Sequence, residues 1–307
     1  MVGSAAYDAA PADPTRGIEP LNGGAVRVRA PAKINLNLLV GPRGQDGYHP
    51  LDSLVVKVTF HDLIDLTPRT DGEVTFGCSG ADCGPDEKNL ALLAARLLAA
   101  SGGAGSRGVH VALTKNIPPG RGLGGGSSDA AAVLRALNTL WELKRDAPAL
   151  NELAARLGSD VPLFLGPPAS RMTSRGERIE PIRVHPFLAV LLVPDVSCHT
   201  AEVYRSFDEH PCPRGRQLDL SLVAGSPPSQ WRGRLVNQLG GAARRVCPEM
   251  AKTWDALSEA LPVPVHLTGS GSAQFALCDD DREVRTVLGA APDPFRRNGL
   301  VVRPNPW

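Results

Sequence analysis

A glycine-rich run in the middle of the chain reads Pro118-Pro119-Gly120-Arg121-Gly122-Leu123-Gly124-Gly125-Gly126-Ser127-Ser128-Asp129. Five of the seven residues from 120 to 126 are glycine, so no side chains would keep a phosphate away from the backbone N–H groups. A helix is predicted from Ser127 to Trp141, directly after the run, and the positive end of its dipole favours anions. Ser127 or Ser128 is expected to cap this helix, and either hydroxyl could contact a phosphate or Mg²⁺. The run therefore predicts a phosphate-binding loop.

Three interpretations of this loop are open. The first is a flexible turn before a capped helix, although five glycines beside Ser-Ser and a strong helix are uncommon for a turn. The second is a dinucleotide-binding fingerprint, because Gly120-x-Gly122-x-x-Gly125 fits its spacing, but residues 116–119 separate the loop from the preceding strand. The third is a nucleoside triphosphate site, which we favour. It would not be a Walker A loop, because Gly-Lys-Ser/Thr occurs nowhere in the chain.

The residues from Val26 to Val40 are predicted to form a strand with two different faces. Apolar and polar residues alternate, and side chains two residues apart share a face. The polar face carries Lys33, Asn35 and Asn37. Only six lysines occur against 27 arginines, so Lys33 is not part of a generic lysine-rich surface. Lys33 and Asn35 predict the polar lining of a cleft or of an exposed edge, whereas Asn37 could equally be solvated.

Apolar periodicity predicts further elements along the chain. The predicted strands are Leu54 to Phe60, Leu63 to Leu66, Arg107 to Thr114, Phe187 to Val193, His266 to Thr268 and Ala273 to Cys278. The predicted helices, besides the one after the loop, are Asn89 to Ala100, Asn151 to Leu157, Trp231 to Val246, Glu249 to Ala260 and Arg282 to Leu288. Strands and helices mix without regular βαβ alternation, which indicates an α+β fold. We expect a disordered leader over residues 1–24, an N-terminal domain over 25–182 and a C-terminal domain over 183–307.

Composition and charge argue against several classes of function. The 307 residues include 33 Lys+Arg and 32 Asp+Glu, so the chain has no strong overall charge to attract nucleic acid. No apolar run reaches about 18 residues, and the N-terminus lacks the apolar segment of a signal peptide. We therefore expect a cytoplasmic protein with neither a nucleic-acid nor a membrane partner, while the oligomeric state stays open.

The six cysteines are expected to be reduced thiols, because they are scattered along a chain without a secretion signal. A zinc site built from Cys198, His199, His210 and Cys212 would lack the closely spaced ligand pairs of zinc fingers. No G-x-S-x-G elbow occurs, which argues against a hydrolase of that type.

Four further blocks, taken with the glycine loop, resemble a known family. The blocks are Pro31-Ala32-Lys33-Ile34-Asn35-Leu36, Asp46-Gly47-Tyr48-His49, Leu157-Gly158-Ser159-Asp160-Val161-Pro162 and Thr268-Gly269-Ser270-Gly271. In this order they resemble the GHMP kinase superfamily and, within it, the 4-diphosphocytidyl-2-C-methyl-D-erythritol kinases. The resemblance implies a two-domain GHMP kinase fold, with the ATP-binding domain first and the active site in the cleft between the domains. It also implies Mg²⁺-supported transfer of the ATP γ-phosphoryl group to the 2-hydroxyl of the methylerythritol unit, in the non-mevalonate route to isoprenoids.

The resemblance implies roles for the residues at the reacting centre. Asp160 would be the general base, and Lys33 would pair with it and with the transferring phosphoryl group. Asn35 would orient the substrate hydroxyl or the aspartate. The ATP phosphates would contact residues 118–128. The less favoured interpretation of Asp160, without the resemblance, is an acid at the start of a helix, where its charge would interact favourably with the helix dipole.

The resemblance also implies a pocket for the cytidine part of the substrate. Tyr48 would stack on cytosine, and His49 would read the edge of the base, partly through its backbone. Tyr204 aligns with an aromatic residue on the other side of the base. The other substrate contacts would come from Thr200, Gly269, Ser270 and Gly271. Without the resemblance, Tyr48 and His49 are turn aromatics that pack on the domain.

The chain departs from the family pattern at three places. A turn that often has two glycines is Ser174-Arg175-Gly176-Glu177, Arg121 replaces a frequent glycine in the loop, and an Asn-Asp-Leu-Glu block is reduced to Asn237-Gln238-Leu239. Two alternatives remain: another GHMP kinase of the homoserine or mevalonate type, and an inactive nucleotide-binding regulator. The Asp-Gly-Tyr-His block argues against the first, and the presence of both Lys33 and Asp160 argues against the second.

Overall fold

Two sheets and the helices packed on them make up the fold. The computed structural model describes residues 17–101, 107–213 and 215–305. Its strands are β1 (Ile18–Pro20), β2 (Val26–Val40), β3 (Leu51–Arg69), β4 (Val74–Gly80), β5 (Gly108–Lys115), β6 (Ala169–Ser174), β7 (Arg178–Pro181), β8 (Leu188–Leu192), β9 (His266–Leu267), β10 (Gln274–Cys278) and β11 (Leu300–Val302). Its helices are α1 (Leu90–Ala100), α2 (Gly125–Leu140), α3 (Ala147–Leu157), α4 (Val161–Leu165), α5 (Thr200–Glu209), α6 (Leu220–Gly225), α7 (Gly240–Val246), α8 (Pro248–Ala260), α9 (Asp281–Ala290) and α10 (Phe295–Asn298). This mixture confirms the α+β class expected from the sequence.

The two sheets meet where the turn between β9 and β10 contacts β2. The first sheet has the order β1-β2-β3-β5-β4, with β6 beside β3 and β7 beside β6. Its two longest strands, β2 and β3, are antiparallel, and their register places Lys33 opposite Lys57. The second sheet has the order β11-β8-β10-β9, with antiparallel neighbours. The turn between β9 and β10 faces β2, as the hydrogen bond from Asn35 N to Thr268 Oγ1 (3.0 Å) shows.

The strand β3 is longer than the sequence predicts. The two strands expected over 54–60 and 63–66 are one continuous strand, so the expected break between them is wrong. Asp62, in the middle, is fully buried and satisfied: its carboxylate accepts hydrogen bonds from Asn116 N (2.6 Å) and Ile117 N (2.7 Å) and pairs with Lys115. A buried charge with this many partners does not interrupt a strand.

The helix α2 begins earlier than predicted and is capped differently. Gly124 is its N-cap, with φ +71°, a left-handed conformation that glycine adopts without steric cost. Ser127 and Ser128 lie inside the first turn, so the expectation that one of them caps the helix is wrong. Ser128 N donates instead to Gly124 O, at 2.9 Å.

The second half of the chain departs most from the predicted elements. Of the helix expected over 231–246, only the 3₁₀ turn Arg232–Arg234 and α7 are helical. The backbone between them is not helical, because Asn237 bridges to Leu38 of β2: Leu38 N donates to Val236 O (2.8 Å), and Gln238 N donates to Leu38 O (3.0 Å). Pairing with a strand two hundred residues away leaves no trace in local periodicity. The helix α5 is an element that the sequence analysis does not predict.

Apolar packing joins the two halves of the chain. One buried cluster combines Ile34 and Leu36 of β2 with Leu191 of β8 and Phe275 of β10. The last described residues also return to the first sheet, where Asn305 N donates to Lys57 O at 2.8 Å. We keep the boundary at 182/183 as a proposal, since the first sheet ends at residue 181 and the second begins at residue 188.

The first described residues belong to the first sheet. Residues 18–20 pair with 26–28 of β2, so the expectation of disorder is wrong for residues 17–24, and residues 1–16 lie outside the described residues. No helix in the part of the chain that the structure describes is long and apolar enough to cross a membrane.

One pair of cysteines is in contact. The structure places the sulfur atoms of Cys78 and Cys83 side by side, at two positions where the sequence predicts reduced thiols. They flank the turn after β4, and their Cα atoms are 6.6 Å apart, within the range that a disulfide spans. Cys198, Cys212 and Cys247 are free thiols, as is Cys278.

Candidate active site

Lys33 and Asp160 provide opposite charges at the seam between the halves. Lys33 is 7% exposed, and its Nζ donates to Oδ1 of Asn35. Burial lowers the pKa of the Lys33 ammonium to about 8, and the Asp160 carboxylate nearby acts against this shift. Asp160 is the half-buried N-cap of α4, yet its carboxylate makes no capping hydrogen bond to that helix. A carboxylate held beside an ammonium and not used in capping can accept a proton from a bound hydroxyl.

The glycine loop lies between the two halves. On one side Lys33 N donates to Leu123 O, at 3.0 Å. On the other side Ala273 N donates to Arg121 O, at 3.1 Å. The Arg121 side chain extends towards Asp195, with Nη2 3.5 Å from Oδ1, so the arginine in the loop contacts the second half of the chain. The loop backbone therefore bridges the two halves of the chain.

Two glycines of the loop are required by close packing. Both Gly122 (φ +75°) and Gly124 (φ +71°) adopt the left-handed conformation. A Cβ at Gly122 would lie 2.3 Å from Thr268 O. A Cβ at Gly124 would lie 2.7 Å from Cζ of Phe164 and 3.3 Å from Cγ of Lys33. The loop can approach β2, α4 and the β9–β10 turn this closely only without side chains at these positions.

A network of buried polar groups holds the β9–β10 turn against Lys33. Thr268 is fully buried, and its Oγ1 accepts from Asn35 N at 3.0 Å and lies 3.3 Å from Asn35 Oδ1. Asn237 Nδ2 donates to the carbonyl of Gly269, at 2.8 Å. A Cβ on Gly269 would lie 3.1 Å from Lys33 Nζ. Sequence reasoning missed Asn237, although the reduced block that contains it was the available signal.

Asn37 is buried rather than solvated. It is 1% exposed; its Nδ2 donates to Gln217 Oε1 (2.7 Å), and its Oδ1 accepts from Val236 N (3.0 Å). Both partners belong to the second half of the chain. Asn37 therefore fastens β2 to that half, and the possibility of solvation is ruled out.

Tyr48 is the exposed aromatic of the predicted pocket. Its side chain is 60% exposed, and the guanidinium of Arg175 lies 4.9 Å from the centre of its ring. Arg175 also pairs with Asp46. Ser174, at the position where the family often has glycine, has φ +64°, which explains why glycine is favoured there. The turn 174–177 thus packs against the Tyr48 turn, a contact that the sequence analysis did not foresee.

His49 and Tyr204 are in contact with each other. Their ring centres are 5.2 Å apart. The two ring nitrogens of His49 face oxygens: Nδ1 is 2.9 Å from Gly41 O, and Nε2 is 3.2 Å from Oδ1 of Asp208. Burial, and after it the nearby Asp160 carboxylate, raise the pKa of Tyr204 to about 12. Tyr204 therefore lies near the proposed base. Both ring nitrogens of His49 already have oxygen partners within the protein.

The remaining residues of the predicted substrate site meet at the start of α5. Thr200 Oγ1 and Ser270 Oγ are 2.9 Å apart. Gly271 has φ +87°, and a Cβ there would lie 3.4 Å from Sγ of Cys198. The turn between β9 and β10 thus packs against the segment that leads into α5.

A buried cluster of charged side chains packs against the glycine loop. Lys115 Nζ lies 2.5 Å from Oδ2 of Asp62 and 2.7 Å from Oδ2 of Asp129. A Cβ on Gly125 would lie 2.9 Å from Lys115 Nζ. Burial raises the pKa of Asp129 to about 8, although Lys115 acts against the shift. The sequence analysis quoted Asp129 within the loop motif but missed this role.

Comparison with protein families matches both halves of the chain. Residues 89–166 match the model described as GHMP kinases N terminal domain, and residues 229–297 match GHMP kinases C terminal. The matched regions contain the glycine loop and Asp160 in the first, and the β9–β10 turn in the second.

Individual relatives cover nearly the whole chain. A 4-diphosphocytidyl-2-C-methyl-D-erythritol kinase of Pelotomaculum thermopropionicum is 37% identical over 84% of this chain and 91% of its own length. The enzyme of the same name from Bacillus subtilis is 35% identical over 84% of this chain and 90% of its own. A crystal structure of 4-(cytidine 5'-diphospho)-2C-methyl-D-erythritol kinase, 34% identical, superposes with a TM-score of 0.74 and covers 91% of this chain and 99% of that one. A homoserine kinase from Cytophaga hutchinsonii, 20% identical, has a TM-score of 0.65, covers 93% of this chain and 96% of its own, and shares the fold.

Proposed function

The chain belongs to the 4-diphosphocytidyl-2-C-methyl-D-erythritol kinases, a family of GHMP kinases, and from this premise we propose how its site works. It is a kinase of isoprenoid precursor biosynthesis that phosphorylates 4-diphosphocytidyl-2-C-methyl-D-erythritol, with ATP as the phosphoryl donor. Identity of 34–37% over most of the chain supports this substrate over homoserine or mevalonate. The observation that carries the mechanism is the buried Lys33 beside Asp160, next to the glycine loop.

Asp160 removes the proton from the attacking hydroxyl. The 2-hydroxyl oxygen of the substrate forms a bond to the γ-phosphorus of ATP, and the bond from that phosphorus to the β–γ bridging oxygen breaks, so that ADP leaves. The hydroxyl proton passes to the Asp160 carboxylate. The absence of a capping hydrogen bond on this carboxylate supports the role, because its oxygens remain available for the proton.

Lys33 and the loop stabilise the transferring phosphoryl group. The Lys33 ammonium is charged below a pH of about 8 and is oriented by Asn35. Such a charge in a water-poor cleft offsets the negative charge on the phosphoryl oxygens. The backbone N–H groups of residues 120–126 hold the phosphates at the start of α2.

Mg²⁺ would accompany ATP, and of the two serines proposed for it Ser127 fits better. Ser128 Oγ is buried without a hydrogen-bond partner, but it lines a small cavity together with Arg29, Lys57 and Arg135. Three basic side chains around one hydroxyl disfavour a divalent cation. Among the described residues no group of three or more His, Cys, Asp or Glu side chains could hold a metal ion. The ion, when bound, would neutralise charge on the phosphates, with Ser127 as its protein contact.

Tyr48 supplies the surface on which cytosine stacks. Its exposure supports this, since 60% of an aromatic side chain is available to a ligand. Because both ring nitrogens of His49 face protein oxygens, the edge of the base would be read through the His49 backbone. Tyr204 would have to turn away from His49 to cover the other face of the base. Thr200, Gly269, Ser270 and Gly271 are proposed to contact the rest of the substrate.

A coupled assay of ADP release tests the function. The enzyme is given 4-diphosphocytidyl-2-C-methyl-D-erythritol, homoserine or mevalonate at equal concentrations, with Asp160→Asn as the matched blank. We expect turnover with the cytidylyl substrate alone. Turnover of homoserine or mevalonate at a comparable kcat/KM would instead assign the chain to another GHMP activity, and no turnover of any of the three would favour a regulator.

A further inference from the structure

Lys57 is a buried charged residue that the proposed mechanism does not use. It lies on β3, is 4% exposed, and its Nζ donates to the backbone carbonyls of Phe164 (3.0 Å) and Gly166 (2.6 Å). These carbonyls belong to the C-terminal end of α4 and the residue that follows it. The last carbonyls of a helix have no partner within the helix, so a cation there meets both an orphan acceptor and the negative end of the dipole.

Neighbouring lysines lie near the two ends of α4. In the β2–β3 register Lys33 is directly opposite Lys57, and opposite residues of an antiparallel pair point to the same face of the sheet. Lys33 is electrostatically coupled to Asp160 at the N-cap of α4, and Lys57 binds its C-terminal carbonyls. A lysine of this strand pair therefore lies near each end of the helix.

The helix needs such support, because α4 has only five residues and a proline in its first turn. A helix this short does not persist without tertiary contacts. Its buried apolar side chains pack in one cluster with those of α2 and α3, and Phe164 also lies against Gly124 of the loop. A sub-ångström movement of α4 would therefore move the Asp160 carboxylate relative to both Lys33 and the phosphates.

Burying a lysine at this position costs free energy, which argues for a role beyond apolar packing. Burial, together with the nearby Arg135, lowers the pKa of Lys57 to about 7. An apolar side chain of similar volume would avoid this cost. The neutral amine keeps two N–H groups, enough for both carbonyls, so the contact survives deprotonation.

We propose that Lys57 is a positioning residue for the proposed base: by binding the C-terminal carbonyls of α4, it holds Asp160 in the orientation that accepts the hydroxyl proton. The inference rests on the proposed role of Asp160. Since Lys57 acts through Asp160, its removal should lower kcat without a comparable change in the KM of either substrate.

A double-mutant cycle tests this coupling. Lys57→Met keeps the stem of the side chain and removes its donors. A misplacement of about 1 Å can cost about 100-fold in rate, so we expect kcat per folded enzyme to fall by about 10- to 100-fold, with both KM values within about twofold. In the Asp160→Asn background the same substitution should change kcat by less than about twofold, because the group that it positions is gone. A full additional loss in that background would overturn the proposal, and so would unchanged kcat in Lys57→Met alone.

Two further variants separate positioning from stability. Arg232→Met removes a cation that donates to a backbone carbonyl (Leu277 O, 2.8 Å) far from α4, and should lower Tm while kcat stays within about twofold. An equal loss of kcat in Arg232→Met would show a general effect of destabilisation and refute the proposal.

If Lys57→Met does not fold, Lys57→Gln replaces it in the double-mutant cycle, since the glutamine amide can still donate to a carbonyl. We then expect Lys57→Gln to lower kcat by about threefold or more in the wild-type background and to have no further effect in the Asp160→Asn background. Additive losses from the two substitutions would overturn the inference. Wild-type kcat in Asp160→Asn itself would instead refute the proposed base.

Discussion

Alanine substitutions at two neighbouring glycines, Gly124 and Gly126, should separate packing of the loop from phosphate binding. At Gly124 an alanine would adopt a left-handed φ of +71°, and its Cβ would lie 2.7 Å from Cζ of Phe164 and 3.3 Å from Cγ of Lys33. The left-handed conformation costs an L-residue about 1–2 kcal/mol. Relief of the overlap by movement of buried groups costs about 1–3 kcal/mol. We therefore expect Gly124→Ala to lower the free energy of unfolding by about 2–5 kcal/mol.

Gly126 offers the matched control. Its Cβ would have Leu90 Cδ1 at 3.7 Å as its nearest neighbour, which is ordinary contact, and it lies in the first turn of α2. Replacing glycine by alanine within a helix stabilises by up to about 1 kcal/mol. Gly126→Ala should therefore melt at or above the wild-type temperature. Its methyl group would nevertheless stand where phosphate approaches the backbone, so we expect ATP to bind at least about 10-fold more weakly.

The assay combines denaturant unfolding with calorimetric titration of ATP and of cytidine diphosphate. Gly126→Ala should lose ATP affinity and keep its stability and its cytidine diphosphate affinity. Gly124→Val, which is bulkier than Gly124→Ala, should lose ATP binding as well as stability, while its folded fraction still binds cytidine diphosphate. Wild-type ATP affinity in Gly126→Ala would refute the assignment of the loop to phosphate. Wild-type stability in Gly124→Ala would refute the packing argument.

Four more predictions concern the reacting centre and the base pocket. Asp160→Asn should reduce kcat by about two to four orders of magnitude with the fold intact, as measured by steady-state kinetics beside circular dichroism. The Lys33 ammonium must be charged for catalysis and has a pKa of about 8, so the kcat of the wild-type enzyme should fall as pH rises through 8. Asp160 raises this pKa. The residual kcat of Asp160→Asn should therefore begin to fall at a lower pH than the wild-type kcat. In the unfolded chain Lys33 keeps its proton up to about pH 10.4, so between pH 8 and pH 10.4 the folded state binds fewer protons than the unfolded state. The free energy of unfolding should therefore rise with pH over this interval. Lys33→Met should remove this rise. Tyr48→Ala should lower kcat/KM for the cytidylyl substrate by about 5- to 150-fold and Tyr48→Phe far less, whereas a purely structural tyrosine would affect Tm and all ligands alike.

The parts of the fold that sequence predicts are those with local causes. The glycine loop and the strand β2 follow from residue types within a few positions, and the structure has both where the sequence places them. The N-cap of α2 is different, because Gly124 takes the left-handed φ and displaces the two serines into the helix. Capping preferences alone do not distinguish a glycine cap from a serine cap three residues later.

The parts that sequence does not predict depend on distant partners. Asp62 is compatible with a strand only because Lys115 and two backbone N–H groups, more than fifty residues away, satisfy its carboxylate. The helix predicted through residues 235–237 does not form there, because this segment pairs with Leu38 of β2. Asn237 contacts the carbonyl of Gly269 for the same reason. Such contacts are set by tertiary structure, which overrides local helix periodicity.

The polar residues of β2 explain how one strand can organise the site. Their alternation is typical of a strand with one solvated face, yet Lys33, Asn35 and Asn37 are all buried. Register shifts between Pro31 and Lys33 and between Asn35 and Asn37 interrupt the regular pairing with β3 along this stretch. Each side chain then meets a different part of the chain: Lys33 the proposed base, Asn35 the β9–β10 turn, and Asn37 the segment that joins β2 in the second half. Because buried polar groups without partners are costly, the two halves must be docked for this strand to be stable. Docking also brings the β9–β10 turn of the second half against Lys33 and the glycine loop of the first.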